Sequence, residues 1–232
     1  MMISAMSLKI NSWRRVIKIV FWIIVFALLG VFIVKILVFE HNYLEEKEGS
    51  ERAITIVEEE EELIEVKPTE EEVTEYIVAP DRPRYLTVEK LGINKARIIP
   101  MGVNVNGELA TPNNIFDVGW YDASGLPGMG GTMIIDGHNG GPHVHGVFKD
   151  LPDLAEGDLI VVERGDGVVF KYRVVENKSV LLSESDAYMS TAARSPESGK
   201  ESVTLISCTG EWSQQQGTYL SRQFTRAVLS VD

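Results

Sequence analysis

The chain has 232 residues, a net charge of −12 and a single cysteine, which is length enough for one domain with appendages. One cysteine excludes an internal disulfide framework, and basic residues gather on no face beyond the first 39, which excludes a nucleic-acid-binding surface. The charge is uneven: residues 1–39 carry five bases and no acid, residues 40–79 carry 15 Glu against Lys47, Arg52 and Lys67, and the remainder is only mildly acidic.

Ile19 to Val34 holds no charge, and the stretch from Val16 to Phe39 is interrupted only by Lys18 and Lys35. As a helix it spans ~30 Å or more, with the two lysines placed to snorkel toward headgroups. It is too long for the core of a cleaved signal peptide, and no small-x-small cleavage site follows. Residues 16–39 are therefore expected to form a transmembrane signal anchor. Arg14, Arg15 and Lys18 precede it and Glu40, Glu45 and Glu46 follow it. The positive-inside rule then puts residues 1–15 in the cytoplasm and everything after residue 40 outside the cell membrane.

Residues 40–79 read as an acidic extracytoplasmic stalk. Glu58 to Glu62 are consecutive acids and Glu70-Glu71-Glu72 add three more. Such runs repel themselves and stay extended or loosely helical, and a solvated spacer explains them better than a calcium site does.

Residues 80–232 have the texture of a β domain. Tyr85–Val88 and Ala96–Pro100 are short β-like runs punctuated by glycine and proline. Thr132–Ile135 is an apolar strand that stops at Asp136-Gly137-His138, and Gly146–Leu151 suits one helical turn with Val147, Phe148 and Leu151 facing the core. Leu159–Glu163 and Val168–Val175 flank Gly165-Asp166-Gly167, a hairpin signal. Ser202–Ser207 and Phe224–Val231 are the last strands. Many short strands with few helices predict a mainly β fold, a closed barrel or a sandwich.

Cys208 ends the run Val203–Cys208, and a turn is expected at Thr209-Gly210. A lone cysteine is commonly a buried small hydrophobe. A strand-end thiol with an imidazole and a guanidinium on neighbouring strand ends equally suits thiol acyl transfer, in which cysteine is the nucleophile and the cation stabilises developing negative charge. His138, directly after a strand, is the best-placed base. His41 falls in the stalk, while His143 and His145 fall in a Gly/Pro-rich loop. A metal site at His138, His143 and His145 lacks the fourth ligand and regular spacing that zinc favours, so no metal or other cofactor is expected. Arg222 and Arg226 share a face by strand parity, and Arg222 is the one that flanks Cys208 across an antiparallel pair. The polar run Gln214-Gln215-Gln216 between Cys208 and Arg222 is expected to be a loop that touches substrate or acceptor. Leu126–Gly130 and Arg164-Gly165-Asp166 mimic short recognition motifs, and a loop and a hairpin turn explain them better.

These features resemble the sortases, membrane-anchored cysteine transpeptidases. Thr204-Leu205-Ile206-Ser207-Cys208 is similar to the family's TLxTC signature, with Ser207 in place of threonine. Asp136-Gly137-His138 followed by Gly146-Val147-Phe148 and Leu151 resembles the GH…VF..L segment, Gly157-Asp158-Leu159-Ile160 resembles GDxI, and Arg222 falls where an arginine follows the cysteine. Leu91-Gly92-Ile93 and Val118-Gly119-Trp120-Tyr121 are similar as well. The resemblance covers about residues 84–231. It implies a closed barrel of about eight strands with short helices.

It also implies catalysis by Cys208, His138 and Arg222. Cys208 would attack the Thr carbonyl of an LPxTG-like signal on a secreted surface protein. An amine acceptor, a cell-wall precursor or a pilin lysine, would then take the acyl group. No aromatic lid motif of the kind found in pilin-building members precedes the domain, which leans toward general anchoring. The rival readings are an L,D-transpeptidase, whose Ser-x-Gly-Cys context is missing, and a non-catalytic tethered barrel with a structural Cys208.

Overall fold

The computed structural model describes Lys35, residues 63–104 and residues 107–230. Apart from Lys35, the expected anchor at residues 16–39 lies outside the described residues, as does the expected stalk up to residue 62. Among the described residues no helix is long and apolar enough to cross a membrane. The β domain belongs to one compact unit, Glu61–Asp232.

Eight strands make it: β1 (Pro83–Val88), β2 (Ile93–Met101), β3 (Val118–Tyr121), β4 (Thr132–Gly137), β5 (Leu159–Arg164), β6 (Val169–Leu181), β7 (Ser202–Ser213) and β8 (Thr218–Leu229). They close into a barrel in the order β1-β2-β3-β4-β7-β8-β6-β5, with β5 returning to β1. Closure gives every strand of the barrel a neighbour on both sides. The pairs β2·β3 and β4·β7 are parallel and the others antiparallel.

Alternation along each strand divides the residues between two apolar layers. Met133 and Ile135 of β4 and Val203 and Leu205 of β7 enter the barrel core with Trp120, Phe148, Leu151 and Tyr172. Their neighbours Ile134 and Ile206 face outward, where they pack with Val180, Phe224 and Ala192. Strand β7 is therefore buried on both faces from Ser202 to Ser207. The outer layer is roofed by α2 (Leu182–Ala192), whose Tyr188 and Met189 rest on it. The helix is not legible as a helical pattern because LSESDAYMSTA carries few apolar residues and buries only Ser185 and Ala192.

The expected helical turn appears as a turn at residues 147–150 and a 3-10 helix at Leu151–Asp153, with Phe148 and Leu151 fully buried. The segment Leu126–Gly130 is a loop whose Gly128 and Gly130 amides donate to the buried carboxylate of Glu201 at 2.9 and 2.8 Å. Arg164 and Asp166 pair at 2.8 Å across the β5–β6 turn.

Two expectations need correction. Cys208 does not end its strand. β7 continues to Ser213 and pairs with β8 as far as Ser213↔Thr218, across a bulge between Thr209 and Trp212. Gly210, at φ 84°, supplies the left-handed conformation that lets the strand bulge rather than turn.

The second concerns the stalk's last residues, 63–79, which lie on the barrel rather than apart from it. Helix α1 (Glu70–Glu75) opens with a capping box in which Thr69 accepts from the Glu72 amide and the Glu72 side chain accepts from the Thr69 amide. Tyr76 Oη donates to the Ile98 carbonyl at 2.6 Å, Arg84 Nε donates to the Tyr76 carbonyl at 2.7 Å, and Tyr85 Oη donates to the Val73 carbonyl. Ile64 and Asn114 form a β-bridge. Hydropathy does not announce this docking: Leu63, Ile64, Val66 and Ile77 stay exposed, and these bonds run to backbone carbonyls and caps.

A fragment beginning at residue 80 loses these bonds and exposes the β2 surface beneath. We expect it to melt several degrees below a fragment beginning at residue 63, since ~1 kcal/mol shifts the melting point of a domain this size by roughly 2–4 °C. Equal melting temperatures by calorimetry would show that the segment contributes nothing to the barrel's stability.

Candidate active site

The parallel pairing of β4 with β7 sets Asp136 opposite Ile206, and the antiparallel pairing of β7 with β8 sets Cys208 opposite Arg222 and Ile206 opposite Phe224. Ile206 and Phe224 face the outer layer, so alternation carries Cys208 and Arg222 to the same outer face. Asp136 shares that face, and His138 is the first residue after β4. Ser207 Oγ donates to the Gly137 carbonyl at 2.9 Å, a buried bond between β7 and the end of β4. A hydroxyl at position 207 therefore anchors the strand end that carries His138 to the strand that carries Cys208.

Arg222 and Arg226 separate cleanly. Arg226 is buried, ion-paired to Glu176, and donates to the carbonyls of Thr191 and Arg194 at 3.2 and 3.0 Å. It is committed to holding α2 and its following loop. Arg222 is half-buried and donates only to neutral oxygens: the carbonyls of Tyr219 and Ser221, both at 3.1 Å, and Thr218 Oγ1 at 3.3 Å. Among the described residues no carboxylate pairs with it, and its charge acts on Cys208.

Burial pushes the Cys208 thiol above its ordinary value, Arg222 opposes this, and the Asp136 carboxyl adds to it. Burial also holds His138 below its ordinary value, partly offset by the Pro112 carbonyl. Both shifts favour the neutral thiol and the neutral imidazole. His138 Nε2 lies 2.9 Å from the Pro112 carbonyl. A carbonyl only accepts, so Nε2 carries the ring proton and Nδ1 is the nitrogen free to take another.

Asp136 was visible in the sequence only as the residue before Gly137-His138. Its Oδ2 accepts from Thr111 Oγ1 at 2.5 Å. Burial pushes its pKa up to about 7 against the lowering effect of that bond. Across β3, Gly119 leaves room for it, since a Cβ there would lie 2.5 Å from Asp136 Oδ1 and 3.0 Å from Pro112 Cδ. No sequence signal pointed to Thr111 or Pro112, because the contact is made by a loop far from β4 in the chain.

His143 and His145 are exposed on the loop after His138. Among the described residues no cluster of histidine, cysteine and carboxylate side chains has metal-holding geometry.

The family model for the sortase domain matches residues 86–230, well over half of the chain. Solved structures similar to this chain include sortase C from Clostridium perfringens SM101, at 20% identity over 66% of this chain and 72% of that one, with a TM-score of 0.44. They also include a Clostridium perfringens sortase D5 transpeptidase, at 22% identity over 71% and 90% with a TM-score of 0.46. A third is sortase C-1 from Actinomyces oris, at 22% over 69% and 79% with a TM-score of 0.48. No curated protein matches the chain.

Two outcomes are expected from these charges. The pH midpoint for alkylation of Cys208 by iodoacetamide should lie above that of a free thiol, and Arg222→Ala should raise it further. A midpoint unchanged by that substitution would mean the guanidinium does not act on the thiol. Asp136 binds its proton more tightly in the folded than in the unfolded chain, whose carboxyl titrates near ~4. Its contribution to stability is therefore fully present below about pH 4 and is lost as the pH rises through about 7. Asp136→Asn should remove this part of the pH dependence in thermal melts taken from pH 4 to pH 8. Parallel melting curves for the two proteins would sink the assignment.

Proposed function

The chain belongs to the sortase family, whose members are cysteine transpeptidases, and from that premise we propose that it cleaves an LPxTG-like sorting signal between Thr and Gly. The acyl group passes through a thioester on Cys208 to an amine acceptor of the cell wall or of a pilin. The observation that carries this reading is the direct opposition of Cys208 and Arg222 across β7 and β8, with His138 at the end of the strand next to β7.

The chemistry suits those groups. In the first step Cys208 Sγ forms a bond to the Thr carbonyl carbon, and the thiol proton goes to His138 Nδ1. Arg222 donates to the oxyanion of the tetrahedral intermediate. The C–N bond to Gly then breaks, and His138 returns the proton to the departing amine. In the second step the acceptor amine gives a proton to His138, attacks the thioester, and releases Cys208, which regains its proton. The count of protons closes over the cycle, and no metal or cofactor is called for.

The acidic N-terminal segment and the apolar stretch before it fit an enzyme held at the outer face of the cell membrane by residues 16–39, facing secreted substrates. Secreted surface proteins bearing the sorting signal and the amine acceptor are then its partners, with membrane lipid around the anchor.

The test is incubation of the protein with a fluorogenic LPxTG-type peptide library and hydroxylamine. Wild type should yield the hydroxamate at Thr. Cys208→Ala should yield none, and His138→Ala and Arg222→Ala should lose at least about a hundredfold in kcat/KM. A folded wild-type protein that cleaves no member of the library would overturn the reading.

A further inference from the structure

One loop reaches across the end of β4 and touches it twice. Thr111 Oγ1 donates to Asp136 Oδ2 at 2.5 Å, and the next residue, Pro112, offers its carbonyl to His138 Nε2 at 2.9 Å. Consecutive loop residues thus meet Asp136, within β4, and His138, just past its end, two positions apart along the chain. Gly137, between the two, is held from the other side by Ser207.

We propose that Asp136 is a positioning residue: through Thr111 its carboxyl pins the β2–β3 loop so that Pro112 fixes His138 as the Nε2–H tautomer, leaving Nδ1 as the basic nitrogen. This rests on the reading of His138 as the proton carrier.

Three features argue for a dedicated device. The first is cost. A carboxyl on a largely covered face is expensive when no cation pairs with it. The groups around it are Thr111 from the loop, Gly119 from β3, Ile206 and Cys208 from β7 with Arg222 behind them on β8, and His138 just past the end of its own strand. Arg222 acts on the thiol, and the hydrogen bond to Asp136 comes from a neutral hydroxyl. An aliphatic residue would fill the same position at lower cost if packing were its only task.

The second is the space made for it. Gly119 has ordinary strand geometry, yet any side chain there would collide with Asp136 Oδ1, Met101 and Pro112 together. Strand β3 thus gives up a side chain where the carboxyl and the proline meet. The third is that the imidazole has no other anchor among its described hydrogen bonds. Without Pro112 its ring is free to flip and to exchange tautomers, and a base whose proton sits on the wrong nitrogen cannot serve the thiol.

The experiment uses the full-length chain in detergent, labelled with 15N-histidine. Long-range 1H–15N spectra separate the two tautomers, and His138→Gln assigns the signals. Wild type should show His138 as a single Nε2–H form at pH 8. Asp136→Ala and Thr111→Val should give the averaged shifts of a tautomer mixture. Asp136→Asn should restore the single form, because its amide oxygen still accepts from Thr111. Turnover should fall between about tenfold and a hundredfold in Asp136→Ala and Thr111→Val, in kcat rather than KM, and recover in Asp136→Asn.

Thr111→Val removes one hydroxyl at nearly constant volume, so it decides the matter if Asp136→Ala fails to fold. An unchanged Nε2–H form in Thr111→Val would overturn the proposal, as would an averaged ring in wild type. The spectra need no substrate, so a fixed tautomer with no transpeptidation would reject the proposed function alone. Transpeptidation with an unconstrained ring would reject this inference alone.

Discussion

The parallel pairing of β4 with β7 is the constraint on which the site depends. A parallel pair brings the C-terminal ends of both strands to the same end of the barrel, so the residues just after β4 arrive beside those late in β7. Asp136 opposite Ile206 fixes the register, and a slip of one residue would turn the outward residues inward. The slip is resisted because Met133, Ile135, Val203 and Leu205 fill the barrel while Ile134 and Ile206 fill the outer layer. The Thr132–Ser202 hydroxyl pair at 2.8 Å and the Ser207–Gly137 bond at 2.9 Å tie the two ends of the same pairing. Burying β7 on both faces is thus what makes the position of Cys208 definite.

The second strand pair sets the electrostatics. β7 and β8 run antiparallel with Cys208 directly opposite Arg222, which brings the guanidinium to the thiol by backbone geometry rather than by a long side chain searching for it. Arg226, four residues on and on the same face, is drawn off by Glu176 and two carbonyls. The same residue type therefore has two different fates on one strand. Arg226 is desolvated and matched by a carboxylate that compensates its charge. Arg222 has no carboxylate partner among the described residues and stands opposite the one thiol of the chain.

Much of this was readable in the chain because barrel strands advertise themselves. Thr132–Ile135, Leu159–Glu163 and Ser202–Ser207 are apolar or β-branched runs, and the glycine-rich turn after Arg164 marks a hairpin. The features that stayed hidden did so for physical reasons. Strand β3 is only four residues, two of them Gly119 and Trp120, too short for an alternation pattern. Helix α2 docks with a thin apolar face beneath a polar sequence. Residues 63–79 carry the acidic run Glu70-Glu71-Glu72, yet the segment is held by a capping box and by tyrosine hydroxyls on carbonyls, and these leave no mark in hydropathy. Gly210 reads as a turn in sequence and serves as a bulge in space, because the pairing of Trp212 with Tyr219 continues the hairpin beyond it. At the site, Cys208, His138 and Arg222 stood out by residue type and spacing. Asp136, Thr111 and Pro112 did not, since their meaning lies in a loop-to-strand contact between distant positions.

The charge state of the site is set by the same burial that fixes its geometry. Desolvation penalises thiolate and imidazolium alike, so a buried Cys–His pair drifts toward the neutral form unless an outside charge intervenes. Here Arg222 favours the thiolate, whereas Asp136, when ionised, disfavours it. Asp136 titrates at about 7, so its opposition to the thiolate grows as the medium becomes alkaline, in the range where the thiol would otherwise begin to ionise. Arg222 is the stronger of the two charges, so together they offset part of the effect of burial, and Asp136 restrains the guanidinium's pull on the thiol. A neutral thiol resists oxidation and stray alkylation better than a thiolate does. For a lone cysteine on a domain proposed to face the cell exterior, the carboxyl on the same face as Cys208 thus works toward the less reactive thiol form, against the guanidinium opposite.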